Sequence, residues 1–419
     1  MPVLQMDDRK GNNQHIIKEA NREDRLFPGI DDHNALTTLI NVLEKKLCLQ
    51  KNISFDELDV PHGFIDSFGA ALIETVLNIQ ADGNKTDNLY GKKLPLKNGF
   101  QHQLRQSFNT DLELVLRIIN QNIERKKTRS YKTLPSVAAE DFCSAFRFSF
   151  EQLVANADEH AKQAKVVSWR YRLSTPTDKL QFPHELLEVA FSSSISKVRQ
   201  SMVPQFKEQV TDRESIFFAL LPGFSCVGGL RKPELGSDRG TALFYLSQTA
   251  RYGGALLIQS GSAILQLGMI GPSKRVEYDC RISEIPLDQI SNPELRELAE
   301  YQLGTTFALQ SDATRFSHHA VVRQVSQYCA RSFWEKTFGS DSVTLEDALK
   351  KSGSLEKLYF EYLVQESNAL KSDDLLSTVL SGPTFVAFTK DKKEQVEETV
   401  RDVTRILSWS SESLIAKLQ

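Results

Sequence analysis

The chain has 419 residues, 40% hydrophobic and 25% charged, with 51 Lys plus Arg against 54 Asp plus Glu and a formal net charge of −3. At roughly 150 residues per domain that is material for about two or three cores, and 21 glycines with 14 prolines exclude collagen-like or broadly disordered sequence. The charge balance excludes a chain built to coat bulk nucleic acid, which needs a concentrated basic surface.

Residues 1–33 are polar and charge-mixed and lack the apolar core of a signal peptide. Residues 34–135 read as a helical region. Leu36, Leu39, Ile40, Leu43 and Leu47 recur at helical spacing, and 64–79 and 104–123 follow the same pattern. Between them, 81–98 reads as a loop from its Gly, Asn, Asp and Pro content. Arg125, Lys126, Lys127, Arg129 and Lys132 then form a basic cluster. It reads as a solvated helix end, with a phosphate- or nucleic-acid-contacting patch as the alternative.

Residues 136–288 alternate between periods. Helices are expected at 139–163, 214–221 and 241–252, and strands at 166–173, 186–191, 255–259, 263–267 and 275–285. Helices interleaved with mostly antiparallel strands imply an α+β chain with a two-layer α/β sandwich. The uncharged run Tyr252–Ser273 holds five glycines and Pro272, which suits buried strands and a turn rather than a membrane span.

Residues 289–419 read as an almost wholly helical module. Asn292-Pro293 is a cap followed by Pro at the first helical position. Ser311-Asp312 is expected to open a long helix to about Lys336, and Thr344, Ser354 and Ser372 to open shorter ones. Pro383–Phe388 is the one strand candidate before a last helix at Lys392–Leu407. Cys48, Cys143, Cys226, Cys280 and Cys329 stand singly without CxxC spacing, against a disulfide framework or zinc finger and in favour of a reducing cytoplasm.

Several chemical signatures are missing: the GxxxxGK[ST] phosphate loop, the HExxH zinc helix and a strand-linked GxGxxG. Gly223-Phe-Ser225-Cys-Val227 misses the final glycine of a nucleophile elbow. His318 and His319 are adjacent, so on a helix their rings point about 100° apart and cannot share a metal unaided. They read as surface or core histidines.

The informative stretch is Phe148–Ala161, FSFEQLVANADEHA. Gln152, Asn156 and His160 share one helical face, with Leu153, Ala157 and Ala161 beside it. This stretch resembles the N-box of the Bergerat-fold, or GHKL, ATPases, closest to the NAxEHA form of the anti-sigma-factor and sensor-kinase branches. Downstream, Arg239-Gly240-Thr241-Ala242-Leu243 resembles the family's RGxGL box, and Gly253–Gly261 resembles its GGxLxIxSG strand. The resemblance covers about 139–288. It implies a Bergerat sandwich flanked by N- and C-terminal helical regions. It further implies ATP as ligand, with Asn156 on Mg²⁺ and Arg239, Gly240 and Thr241 near the phosphates, where helix N–H groups hold oxygens.

Three positions depart from the family. Gln152 stands where hydrolysing relatives carry a glutamate base, and an amide cannot take the water's proton. Glu151 is adjacent but about 100° around the helix. Ser192 begins the segment standing where the adenine-binding aspartate is expected; a hydroxyl accepts the adenine amino hydrogen without a carboxylate's charge-assisted strength. Ala242 replaces the second box glycine.

The resemblance with these departures implies an ATP-binding, pseudo-ATPase-like regulatory protein, working through protein partners or as a homo-oligomer; net charge does not indicate nucleic acid, and no stretch reads as a membrane span. Two other readings stay open. One is an active Mg²⁺-dependent ATPase or protein kinase using Glu151 as base. The other is a helical interaction scaffold without nucleotide; bacterial regulation and defence are both compatible.

Overall fold

The computed structural model describes residues 89–95, 166–174 and 186–193 as backbone, and most of 210–419 with side chains. The expected helices at 34–49, 64–79, 104–123 and 139–163 and the basic cluster lie outside the described residues. The chain is α+β. Its contacts divide it into two compact units interleaved in sequence: 1–115 with 154–213 and 255–310, and 116–153 with 214–254 and 311–419.

The first unit holds a seven-stranded sheet in the order β1-β2-β3-β8-β5-β6-β7. Its strands are β1 Leu89–Pro95, β2 Val166–Ser174, β3 Leu186–Ser193, β5 Gly254–Ser260, β6 Ala263–Ile270, β7 Glu277–Glu284 and β8 Thr305–Asp312. Strands β1 to β3 form an antiparallel meander, with Leu89 opposite Arg172 and Val167 opposite Ser193. Strands β5 to β7 form a second one, with Ala255 opposite Gly268 and Leu265 opposite Ile282. Every residue of β5 is buried, which explains why ALLI reads as a continuous apolar run rather than an alternating one.

The β5–β6 turn depends on Gly261. Its φ of +60° favours glycine, and a Cβ there would lie 2.1 Å from Asp212 Oδ2. That carboxylate accepts the Ser262 amide at 3.0 Å, so one acidic side chain closes the hairpin.

Two strands of this sheet fall where the sequence predicts otherwise. β1 lies inside the expected loop at 81–98; an edge position tolerates Gly91 and Pro95, which a central strand would not. β8 lies in the expected helical region, between β3 and β5. Thr305, Thr306 and Phe307 suit a buried strand. Side chains tie β8 to its neighbour: Ser260 Oγ meets Thr305 Oγ1 at 3.0 Å, and Gln259 Nε2 donates to the Gly304 carbonyl at 3.1 Å.

Helices dominate the second unit. In chain order they are α1 Asp212–Leu220, whose first two residues belong to the sheet unit, α2 Ala242–Gly253, α3 His319–Thr337, α4 Leu345–Ser352, α5 Leu355–Leu370, α6 Asp374–Leu380 and α7 Lys390–Leu418. A two-residue ribbon pairs β4, Leu230–Arg231, with β9, Ser342–Val343. Val396, Val400, Val403, Leu407 and Leu414 give α7 an apolar stripe at helical spacing. Most of it packs with Tyr252 of α2, Val321 and Val325 of α3 and Leu370 of α5.

Local signals set several helix ends. Thr344 and Ser354 cap α4 and α5, each accepting an amide three residues on at 3.1 Å. The Asn292 side chain accepts the Glu294 amide at 2.9 Å, as the Asn-Pro pair predicts. Elsewhere the boundaries move. The helix expected from Ser311 starts at His319, because β8 occupies the chain to Asp312. Phe385, inside the one strand candidate, is helical and fully buried; 383–384 and 386–388 lie outside the described residues. The last helix continues past Leu407 to Leu418.

Candidate functional site

Helix α2 carries the described part of the site. Every one of its twelve residues is buried, although the sequence includes Ser247, Gln248, Thr249 and Arg251. Burial without partners would be costly for these groups, so the helix has to be read polar atom by polar atom.

At its N-terminus stands Thr241, 1% exposed. Its carbonyl accepts the Tyr245 amide at 2.8 Å, opening the helix. Its φ and ψ of −127° and −4° are not those of an ordinary cap, and its side chain caps nothing. The hydroxyl finds no hydrogen-bond partner among the described residues. No acidic residue occupies the first turn. A helix start with no side-chain cap from Thr241, no acidic residue in its first turn and a buried hydroxyl is suited to an anionic oxygen.

The other half of α2 is held by polar bonds. Arg251 is fully buried; Nη2 pairs with Glu366 Oε2 of α5 at 2.7 Å and donates to Ser411 Oγ of α7 at 2.6 Å. Its Nε donates to Ser410 Oγ at 3.0 Å. Ser411 and Tyr362 in turn donate to the two Glu366 oxygens, and Gln248 Nε2 donates to Tyr362 Oη at 3.1 Å. Burial, reinforced by the Glu366 charge, pushes the Tyr362 hydroxyl and the Cys329 thiol well above their ordinary ranges. Tyr362 therefore stays a donor and Cys329 an unreactive thiol.

The two histidines separate. His319 is buried, with Nδ1 2.8 Å from Thr249 Oγ1. The same hydroxyl lies 2.9 Å from the Tyr245 carbonyl. Burial, with the Arg323 charge adding to it, lowers the His319 pKa from 6.5 to about 3, and the ring is neutral. His318 is half-buried; its Nδ1 lies 2.5 Å from Tyr252 Oη, which donates to Asp402 Oδ2 at 3.1 Å.

Of the residues singled out in the sequence, Thr241 is described in full. Ser192 is placed on β3 opposite Ser168, as backbone. Glu151, Gln152, Asn156, Arg239 and Gly240 lie outside the described residues. Among the described residues no group of three His, Cys, Asp or Glu could hold a metal, and no helix is long and apolar enough to cross a membrane. Gly223 of the near-miss elbow has a structural duty: its φ is +79°, and a Cβ would lie 2.1 Å from the Arg231 carbonyl. Ser225 lies outside the described residues.

Sequence reading missed Arg251, Glu366, Ser410 and Ser411. One clue was present, an arginine inside a stretch otherwise apolar or uncharged from Thr241 to Gly254. Its partners lie more than a hundred residues on, where no spacing points to them. Comparison with family models, with curated proteins and with solved structures finds no match.

Proposed function

We propose that this chain is a nucleotide-binding regulatory protein of Bergerat type, taking ATP with Mg²⁺ and acting through protein partners in the cytoplasm. The observation that carries the reading is the start of α2. In sequence the RGTAL segment runs into it, and Thr241 offers a buried hydroxyl without a partner among the described residues at a helix start that its side chain does not cap. Those donors fit phosphate oxygens. The immediate succession of α2 by the β5–β6 hairpin supports the same reading, since the family's box helix leads into such a strand. Cys329, a free and buried thiol, fits a reducing compartment.

In this reading Thr241 and the first α2 amides hold and orient the phosphate end of the nucleotide. By the resemblance, Asn156 would supply an amide oxygen to Mg²⁺, which would neutralise phosphate charge. The resemblance gives Ser192 the place of the adenine-binding carboxylate. With Gln152 in the base position, the chain binds rather than turns over its nucleotide.

Isothermal titration with ATP·Mg²⁺ and a non-hydrolysable analogue tests this on wild type, Asn156→Ala and Thr241→Val. Binding by wild type, weakened in both variants and without turnover, is the expected result. Absence of binding by wild type overturns the reading. Turnover that Glu151→Gln abolishes would replace it with an active ATPase.

A further inference from the structure

The two ends of α2 are built differently. Consecutive polar residues in its second half are each tied to another helix: Gln248 to Tyr362 of α5, Thr249 to His319 of α3, and Arg251 to Glu366 of α5 and Ser410 and Ser411 of α7. Tyr252 adds bonds to His318 and to Asp402 of α7. Helices α3, α5 and α7 thus hold one end of α2, while the Thr241 hydroxyl at the other end has no partner among the described residues.

The geometry points to Arg251 as a positioning residue for the phosphate site, with α5 and α7 forming part of the nucleotide-binding apparatus and not a separate module. This inference rests on the nucleotide reading above. Arg251 itself touches no ligand; it lies ten residues from Thr241, about 15 Å along a helix axis. Its planar fork reaches a carboxylate and two hydroxyls at once, which fixes both the rotation and the axial register of α2. A helix so fixed presents its first-turn amides already in place, so a phosphate meets ordered donors instead of ordering them on arrival. A greasy contact of the same area would hold the helix in the core but leave it free to slide or rotate by small amounts. A buried, fully partnered ion pair has one arrangement.

The test uses the full chain with Ser410→Ala/Ser411→Ala, which removes two Arg251 partners while leaving Glu366. Beside it stands Arg251→Met/Glu366→Met, which replaces the pair by apolar side chains of similar length. Hydrogen exchange of the Tyr245 and Leu246 amides is measured without ligand, and affinity for ATP·Mg²⁺ and for inorganic pyrophosphate by titration. Exchange near the start of α2 is expected to rise roughly tenfold in both variants, with β5–β6 amides unchanged. Affinity for both probes falls about tenfold, even where the melting temperature of the Met pair equals wild type. Unchanged exchange at α2 together with a lowered melting temperature would make Arg251 a stability residue only, overturning the inference. Failure of wild type to bind either probe would overturn the nucleotide reading instead, and the exchange data would still decide whether Arg251 orders the helix start.

Discussion

Arg251 and Glu366 form an ion pair with no solvent exposure on either side chain, Nη2 to Oε2 at 2.7 Å. Each is further bonded, Arg251 to Ser410 and the Leu407 carbonyl and Glu366 to Tyr362, with Ser411 shared between them. Desolvating two charges is expensive, and their attraction offsets it only when the remaining donors and lone pairs are also met. Here they are.

Removing one partner is therefore far worse than removing both. Arg251→Ala strands a buried carboxylate and is expected to cost about 3–5 kcal/mol in urea unfolding. Arg251→Met/Glu366→Met is expected to match or exceed wild-type stability, since no charge is left unpaired. Equal destabilisation by the single and the paired change would show that packing, not charge, dominates this site.

Acid should act through His319. The folded protein holds the ring neutral, with a pKa lowered from 6.5 to about 3 by burial and then by Arg323. The unfolded chain takes up that proton below its ordinary pKa, so between the two values the unfolded state binds more protons. Stability from this group is whole above 6.5 and is lost as pH falls from there towards 3. Unfolding curves of wild type and His319→Gln, taken at steps across this window, should differ in slope, with the variant flatter. Parallel slopes would mean that His319 is protonated in the fold.

Gly223→Ala tests the turn after α1. The residue sits at φ +79°, and an added Cβ would meet the Arg231 carbonyl at 2.1 Å, with Trp334 Nε1 3.1 Å away. The same glycine accepts the Arg231 amide at 3.1 Å, and Trp334 Nε1 donates to the Pro222 carbonyl at 2.8 Å. Strain of about 1–3 kcal/mol is expected from the backbone conformation alone, before the clash is counted. A loss below that range in thermal unfolding would show that the turn relaxes.

Thr344→Ala and Ser354→Ala each remove one capping acceptor. Each should lower stability by about 1 kcal/mol, and the two effects should be measured separately because the caps flank the short helix α4. Circular dichroism melts suffice; no change in either would mean that water replaces the hydroxyl at these exposed ends.

Thr241→Val separates fold from ligand. Without a ligand, replacing an unpartnered buried hydroxyl by a methyl of the same shape should stabilise by about 1 kcal/mol. The same substitution should weaken ATP·Mg²⁺ binding about tenfold, the worth of one hydrogen bond to a charged group. Reduced stability in the ligand-free variant would reveal a partner for this hydroxyl.

Much of the described secondary structure was legible. The expected strands at 166–173, 186–191, 255–259, 263–267 and 275–285 lie on β2, β3, β5, β6 and β7, and the expected helices at 214–221 and 241–252 on α1 and α2. Those segments announce themselves through period and composition, and Thr344, Ser354 and Asn292 through capping chemistry. β1 and β8 were not legible. Gly91 and Pro95 read as loop until an edge position makes them tolerable, and TTFALQSD is short enough to pass for the start of a helix. The end of α7 was hidden by its serines, which look like surface until Arg251 is seen to use two of them.

The sequence by itself determined the local matters: where α2 begins and which residues cap α4 and α5. Those follow from interactions within a few residues, whose signals survive in one dimension. Only tertiary structure decided that β8 enters the sheet between β3 and β5, and that an arginine at 251 answers a glutamate at 366 and serines at 410 and 411. Strand neighbours and buried charge partners are chosen by what arrives from distant chain to meet an unsatisfied group. Neither period nor spacing records that meeting. The near-zero balance of 51 basic and 54 acidic residues likewise says nothing of where one charge is buried and answered.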